Sequence, residues 1–338
     1  MKKIANKVYS YAINNYKEIL KNLLIILITM VVCFYELPYF IYRPGGVLNV
    51  SDRIEIDDVK EISGSYNMSY VTVARGNIPN VFLSFFIKDW DIRKEEDIVI
   101  EGSDYDTTLA IEKIEMHNSL EIAKKVAYTK AGYDVNLVKK EGYIVSIDEN
   151  ANTTLSALDQ IVSVDNIPYE SIDDLRNYLS NLDVGNEVSF TVKKDDEVSI
   201  KKATIYEYEN RKVVGIALLD KIEYETIPDI KFKERKSEAG SSGGLMLTLS
   251  IYDLLIPEDL NKDRIVVGTG TIDENGNVGP IGGVKYKLLG AEKENADIFF
   301  VPKENYEEAK NIWDEYELSF ELVMVEKLDD AIIYLTNN

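Results

Sequence analysis

The sequence predicts an α+β multidomain protein led by a single transmembrane helix, and three observations predict it. The chain has 338 residues and is 45% hydrophobic, too long for one ordinary domain. A 20-residue run, LLIILITMVVCFYELPYFIY over residues 23–42, follows a lysine-rich start. Beyond it, stretches of strand-like alternation and of helical periodicity succeed one another between polar turns.

A helix needs roughly 20 residues to span a bilayer, which is the length of the 23–42 run. Tyr35, Tyr39 and Tyr42 read as an interfacial aromatic belt, although Glu36 and Pro38 fit such a helix poorly. No small-residue cleavage pattern follows, so an uncleaved anchor is expected rather than a signal peptide or a buried helix. Residues 1–21 hold five lysines against Glu18, a balance of +4, so the remaining residues carry −25 of the net −21. The positive-inside rule then places residues 1–22 in the cytoplasm and everything after Arg43 outside, as in a single-pass protein of the cell membrane. The acidic bulk argues against nucleic acid as a partner. Cys33 is the only cysteine, which excludes an intrachain disulfide and a cysteine metal site.

Pro44, Gly45 and Gly46 break the helix. Residues 43–125 read as a β-rich region, with strands expected at 70–73 and 81–85, that packs with the C-terminal domain. Asn118 and Ser119 offer a cap for a helix through Leu120, Ile122, Ala123 and Ala127. His117, the lone histidine, has no ligand or nucleophile partner nearby in the sequence and reads as an ordinary surface or cap-adjacent residue. In residues 126–205, strands are expected at 142–147 and 160–164, then a helix at 171–179 capped by Ser171. A hairpin then turns at Lys194, Asp195 and Asp196. This order resembles a bacterial PDZ domain, which implies peptide capture by strand addition at a sheet edge. Leu158-Asp159 stands where such domains usually have Gly-Asp.

The chemistry concentrates between residues 238 and 294. Gly240-Ser241-Ser242-Gly243-Gly244 opens a helix with Leu245, Leu249, Tyr252 and Ile256 at helical spacing, stopped by Pro257. A serine at such a junction lies near free backbone N–H groups, which suit an oxyanion. With no histidine at hand, the base must be another group. A lysine serves if burial lowers its pKa, and Lys285 and Lys287 both follow Gly282-Gly283. They lie about 200° apart around a helix, so only one can face a given pocket. Asp273, Asn275 and Asn277 hint at a calcium loop but fit a hairpin turn at Asn275-Gly276 better, and no metal is expected.

Here the sequence resembles the Lon proteases. Gly-Ser-Ser-Gly-Gly-Leu-Met resembles their serine motif, and Gly-Pro-Ile-Gly-Gly-Val-Lys-Tyr-Lys their lysine motif. The resemblance implies a Lon-type proteolytic domain over 206–338, with Ser242 as nucleophile, Lys287 as its dyad partner and Thr269 as support. Ser241 stands where the family has proline and Gly243 where it has alanine, which makes Ser241 a rival nucleophile. The whole chain resembles the membrane-anchored, PDZ-containing Lon-like proteases of Gram-positive bacteria. That implies an endopeptidase for peptides or unfolded segments, with a homo-oligomer left open. No GxxxxGK[ST] motif occurs, so ATP is not an expected partner and no cofactor is expected. The competing function is a catalytically inactive, membrane-tethered peptide-binding scaffold.

Overall fold

The computed structural model describes residues 9, 13–57, 59–233, 235 and 237–338. In chain order the helices are α1 (Tyr16–Phe34), α2 (Ile78–Ser84), α3 (Tyr105–Lys130), α4 (Ile172–Ser180), α5 (Gly244–Leu255), α6 (Val284–Lys293), α7 (Lys303–Glu315) and α8 (Leu328–Asn337). The strands up to the middle of the chain are β1 (Glu36–Asn49), β2 (Ile54–Ile56), β3 (Ser65–Asn77), β4 (Asp91–Lys94), β5 (Val135–Ile147), β6 (Gln160–Val164), β7 (Ile167–Pro168), β8 (Glu187–Lys194) and β9 (Glu197–Thr204). After them come β10 (Tyr206–Tyr208), β11 (Arg211–Val213), β12 (Ile216–Thr226), β13 (Ile230–Phe232), β14 (Ile265–Gly268), β15 (Thr271–Ile272), β16 (Val278–Gly279), β17 (Ile298–Pro302) and β18 (Glu321–Val325).

The chain divides into two compact units, one of residues 1–43 and 72–97, the other of residues 44–71 and 98–338. In the first, the expected transmembrane helix is not formed. Among the described residues, no helix is long and apolar enough to cross a membrane. The helix α1 contains Lys17, Glu18 and Lys21, and its apolar part ends at Phe34. Leu23–Phe34 is only about 18 Å of helix, against a hydrocarbon core of about 30 Å. Tyr35 turns to extended backbone, and residues 36–42 enter β1 instead. Tyr39–Tyr42 pair antiparallel with Asp91–Lys94. The apolarity of this stretch therefore serves a sheet: Phe40 and Ile41 are each 1% exposed. Pro38 contributes by disfavouring helix in the residue before it. The single-pass placement, with a cytoplasmic N-terminus and an external catalytic domain, falls with the helix that implied it. Half of the expected cytoplasmic segment 1–22, namely residues 1–8 and 10–12, lies outside the described residues. The expected strand at 81–85 is instead part of α2, because Asn77 caps the amide of Asn80 and a proline sits in the first turn.

In the second unit, β14 is flanked by two parallel neighbours. It pairs with Ser65–Met68 of β3 on one side and with β17 on the other, and β17 pairs in parallel with β18. A parallel sheet of this kind is covered on both faces, and every residue of β17 is buried. Val266, Ile298 and Phe300 face a core shared with α3, α5 and α8. Val267, Phe299 and Val301 face the opposite core, shared with α6 and α7. Helix α5 is buried all round rather than amphipathic: Leu245, Met246, Leu249 and Ile251 are all inaccessible.

A second sheet has the order β12-β5-β6-β8-β9. It closes over a separate core in which Ile144, Phe190 and Val192 pack against Leu175 and Leu179 of α4. Ser171 caps α4 by accepting from the amide of Asp174. The sheet takes its edge strand, β12, from beyond residue 205, and β12 runs antiparallel along the whole of β5. At the Leu158-Asp159 turn, Leu158 adopts the left-handed conformation that glycine tolerates better (φ 68°). Asp159 holds it there: the carboxylate is inaccessible, accepts from the Ser156 amide at 2.8 Å and pairs with Lys201 at 2.7 Å.

Helix α3 begins at Tyr105, not at Asn118. Asp104 supplies the cap by accepting from Thr107 at 2.8 Å. Asn118 and Ser119 are buried in the middle of the helix, where their side chains have other work. Removing the Asp159 carboxylate takes from Lys201 its ion-pair partner and from the half-buried Ser156 amide its acceptor. Asp159→Ala is expected to cost about 3 kcal/mol, measured as a lowered midpoint in denaturant unfolding.

Candidate active site

The serine loop begins at Gly240, whose backbone is left-handed (φ 93°). It ends where Gly243 caps α5. Ser241 and Ser242 are both half-buried. The Ser242 carbonyl is fixed twice, by the Gly270 amide at 2.9 Å and the Thr269 hydroxyl at 3.1 Å. Of the amides at the start of α5, Gly244 bonds to the Ser241 carbonyl and Leu245 to the Gly270 carbonyl. Among the described residues, the Ser242 and Gly243 amides have no acceptor, so they are the donors left for an incoming oxygen. A side chain at position 243 would meet the Met68 sulfur at 2.4 Å, so Met68 occupies space that an alanine there would need.

Thr269 follows directly on the C-terminal end of β14 and is 1% exposed. Lys287 reaches it from α6, on the far face of the sheet from α5. The turn into α6 depends on Gly283, which is left-handed (φ 72°) and whose missing side chain would otherwise strike Val71. Lys287 donates from Nζ to Thr269 Oγ1 at 3.0 Å. The Thr269 hydroxyl can do both things at once, since its proton goes to Ser242 and its lone pairs remain for the amine. Lys287 is 3% exposed and has no carboxylate partner among the described residues. Burial alone pushes its amine down to about 7. Lys285 is instead half-buried, with Nζ 5.5 Å from the Tyr286 ring centre.

The structure thus brings Lys287, Thr269 and the backbone of Ser242 into one hydrogen-bonded chain. His117 lies on α3, with Nε2 3.1 Å from the Ile222 carbonyl. The Asp273 carboxylate is taken up by its own turn, accepting from the amides of Asn275 and Asn277. Sequence reasoning missed Ser119, which donates to the Ser241 carbonyl at 3.0 Å. Nothing local marks it, because the contact joins residues 122 positions apart.

Comparison with known proteins agrees with these two architectures. Residues 235–337 match the Lon protease (S16) C-terminal proteolytic domain, and residues 130–203 match the PDZ domain. The chain therefore carries a Lon-type proteolytic domain together with a PDZ domain. It is 33% identical to the Lon protease of Campylobacter jejuni over 96 residues, 28% of this chain and 12% of that one. It is 36% identical to the peroxisomal Lon protease homolog 2 of Caenorhabditis elegans over 93 residues, again 28% and 12%. The match therefore takes in about an eighth of those relatives' length. Among solved structures, the PDZ domain of the SdrC-like protein from Listeria monocytogenes aligns at 19% identity and a TM-score of 0.23. That alignment covers 25% of this chain and 93% of that one.

The buried amine also bears on stability. Its folded pKa is depressed, so the unfolded chain binds more protons between about 7 and the free-lysine value of about 10.4. Stability from this group accordingly rises with pH across that window. Lys287→Met is expected to be more stable than the wild type at pH 6. The gap should narrow by up to about 1.4 kcal/mol per unit as pH rises from 7 toward 10, measured by urea unfolding of both proteins.

Proposed function

We propose that this chain is an ATP-independent serine endopeptidase, with Ser242 as nucleophile, Lys287 as general base and Thr269 as the residue that orients the amine. The observation that carries the reading is a buried lysine amine with no counter-ion among the described residues. It rests on a hydroxyl that also fixes the backbone of the loop serine. A neutral amine that donates one N–H to Thr269 keeps its lone pair free to accept a proton. In the proposed reaction, Ser242 Oγ attacks the scissile carbonyl while its proton passes to Lys287. The Ser242 and Gly243 amides receive the developing oxyanion. The ammonium then returns the proton to the leaving amine, and water completes the cycle by hydrolysing the acyl-serine. Ser242 is favoured over Ser241 because its own carbonyl is held by Thr269, the residue that holds the base.

Peptides and unfolded segments are the substrates that fit a chain whose 338 residues hold no nucleotide-binding GxxxxGK[ST] motif. The PDZ domain offers a means of presenting them. β12 is the edge strand of its sheet, and Ile216 and Leu218 pack on the same core as α4. Asn118, Glu121 and Lys124 take up the outward backbone groups at 220, 222 and 224, so an extended peptide would be added along residues 216–218, beside α4.

The test is hydrolysis of an unstructured reporter peptide without ATP, alongside labelling by a serine-directed phosphonate. Ser242→Ala and Lys287→Met are each expected to lose about 10³-fold or more in kcat, and the double variant to be no worse than either. Lys285→Met should stay close to wild type. The rate should fall as pH drops through about 7, because protonation removes the base. Wild-type turnover by Ser242→Ala, or an unlabelled wild type, would refute the reading.

A further inference from the structure

Helix α3 holds both the PDZ sheet and the serine loop. Toward the sheet, it takes the place of a strand along the outer edge of β12. Asn118 donates to the Asp220 carbonyl at 2.6 Å and accepts from the Ile222 amide at 3.0 Å. Glu121 accepts from the Tyr224 amide at 2.6 Å, and Lys124 donates to the Tyr224 carbonyl at 2.5 Å. Glu121 and Lys124 also pair with each other at 2.8 Å, and Asn118, Glu121 and Lys124 are all buried. The residues engaged on β12 are 220, 222 and 224, alternate positions whose backbone groups point away from β5. Side chains three apart on a helix are thus serving the backbone edge that another strand would ordinarily pair.

Toward the serine loop, α3 makes two further contacts. Ser119, buried and next to Asn118, donates to the Ser241 carbonyl at 3.0 Å. The Gly240 amide bonds to the Glu112 carbonyl at 3.2 Å. The approach of Ser119 is close enough that a side chain at Gly244 would come within 2.9 Å of its hydroxyl. Adjacent residues on a helix point about 100° apart, so Asn118 and Ser119 address the strand and the loop from one turn.

We propose that Ser119 is a positioning residue for the nucleophile loop, and that Asn118 sets the register of α3 against β12 so that Ser119 meets the Ser241 carbonyl. This inference rests on the peptidase reading for its effect on rate, but not for its effect on the loop. Without the Ser119 hydroxyl, the Ser241 carbonyl keeps only its bond to the Gly244 amide. The backbone that presents Ser242 then loosens while Lys287 and Thr269 stay in place.

The test combines amide hydrogen exchange of residues 238–247 with kinetics on the full chain. Ser119→Ala is expected to speed exchange in that segment and lower kcat about tenfold. KM and the pH midpoint near 7 should not move, since neither the substrate contacts nor the Lys287 pocket is touched. Ser119→Thr, which restores a hydroxyl, should recover most of both. Asn118→Ala should also speed exchange in the loop, and the double variant should be no worse than Ser119→Ala, because the two act through one contact. If Ser119→Ala leaves both loop exchange and kcat unchanged, the positioning role is wrong and the peptidase reading stands. If it loosens the loop of a wild-type protein that cleaves nothing, the peptidase reading is wrong and the positioning role stands. Additive effects of the two variants would overturn the part assigned to Asn118.

Discussion

The desolvation of one amine is the constraint on which the rest of the Lon-type domain depends. Lys287 is buried, its amine bonded to the Thr269 hydroxyl, and no carboxylate among the described residues neutralises it. Burying an ammonium without a partner is costly, and burial lowers the pKa to about 7, so the neutral amine prevails above that pH. Such a site needs walls that water cannot breach. They come from the parallel sheet and its two helical layers, in which Val266 faces one core and Val267 the other. Thr269, just past the end of β14, stands where those layers meet. It can therefore touch Lys287 from one layer and the Ser242 loop from the other.

The same economy governs the connection to the PDZ domain. An edge strand presents a row of unpaired backbone groups, and β12 has its outer row met by side chains of α3 rather than by a further strand. The ion pair of Glu121 and Lys124 is tolerated in a buried position because both charges are also bonded to the β12 backbone. A helix committed on one side to a strand and on the other to the serine loop ties two cores of separate composition into one working arrangement.

Much of the site was legible because it is written in short, local patterns. The glycines around Ser242 and before Lys287 mark turns whose backbone angles few other residues tolerate, as the left-handed Gly240 and Gly283 bear out. Ser171 as a helix cap and the turn at Asn275-Gly276 were legible for the same reason. The apolar run at 23–42 misled because hydropathy has no direction. Phe40 and Ile41 are as apolar in a strand as in a helix, and only their pairing with Asp91–Lys94 distinguishes the two. Asn118 and Ser119 misled in a related way. Their residue types favour helix caps, but tertiary partners 102 and 122 residues away claimed their side chains.

By itself, then, the sequence determined the local chemistry: which serine and lysine stand beside glycine turns, and where strands and helices alternate around them. Tertiary structure decided everything that depends on burial and on distant partners. It made Lys287 rather than Lys285 the desolvated amine, because the two point to opposite sides of α6 and only one side faces the core. It turned the last third of an apparent membrane span into a strand, and it set a mid-helix serine against the loop that carries Ser242. Pattern reports what a residue can do within a turn or two of its own backbone; only packing reveals which water it has lost and which neighbour has replaced it.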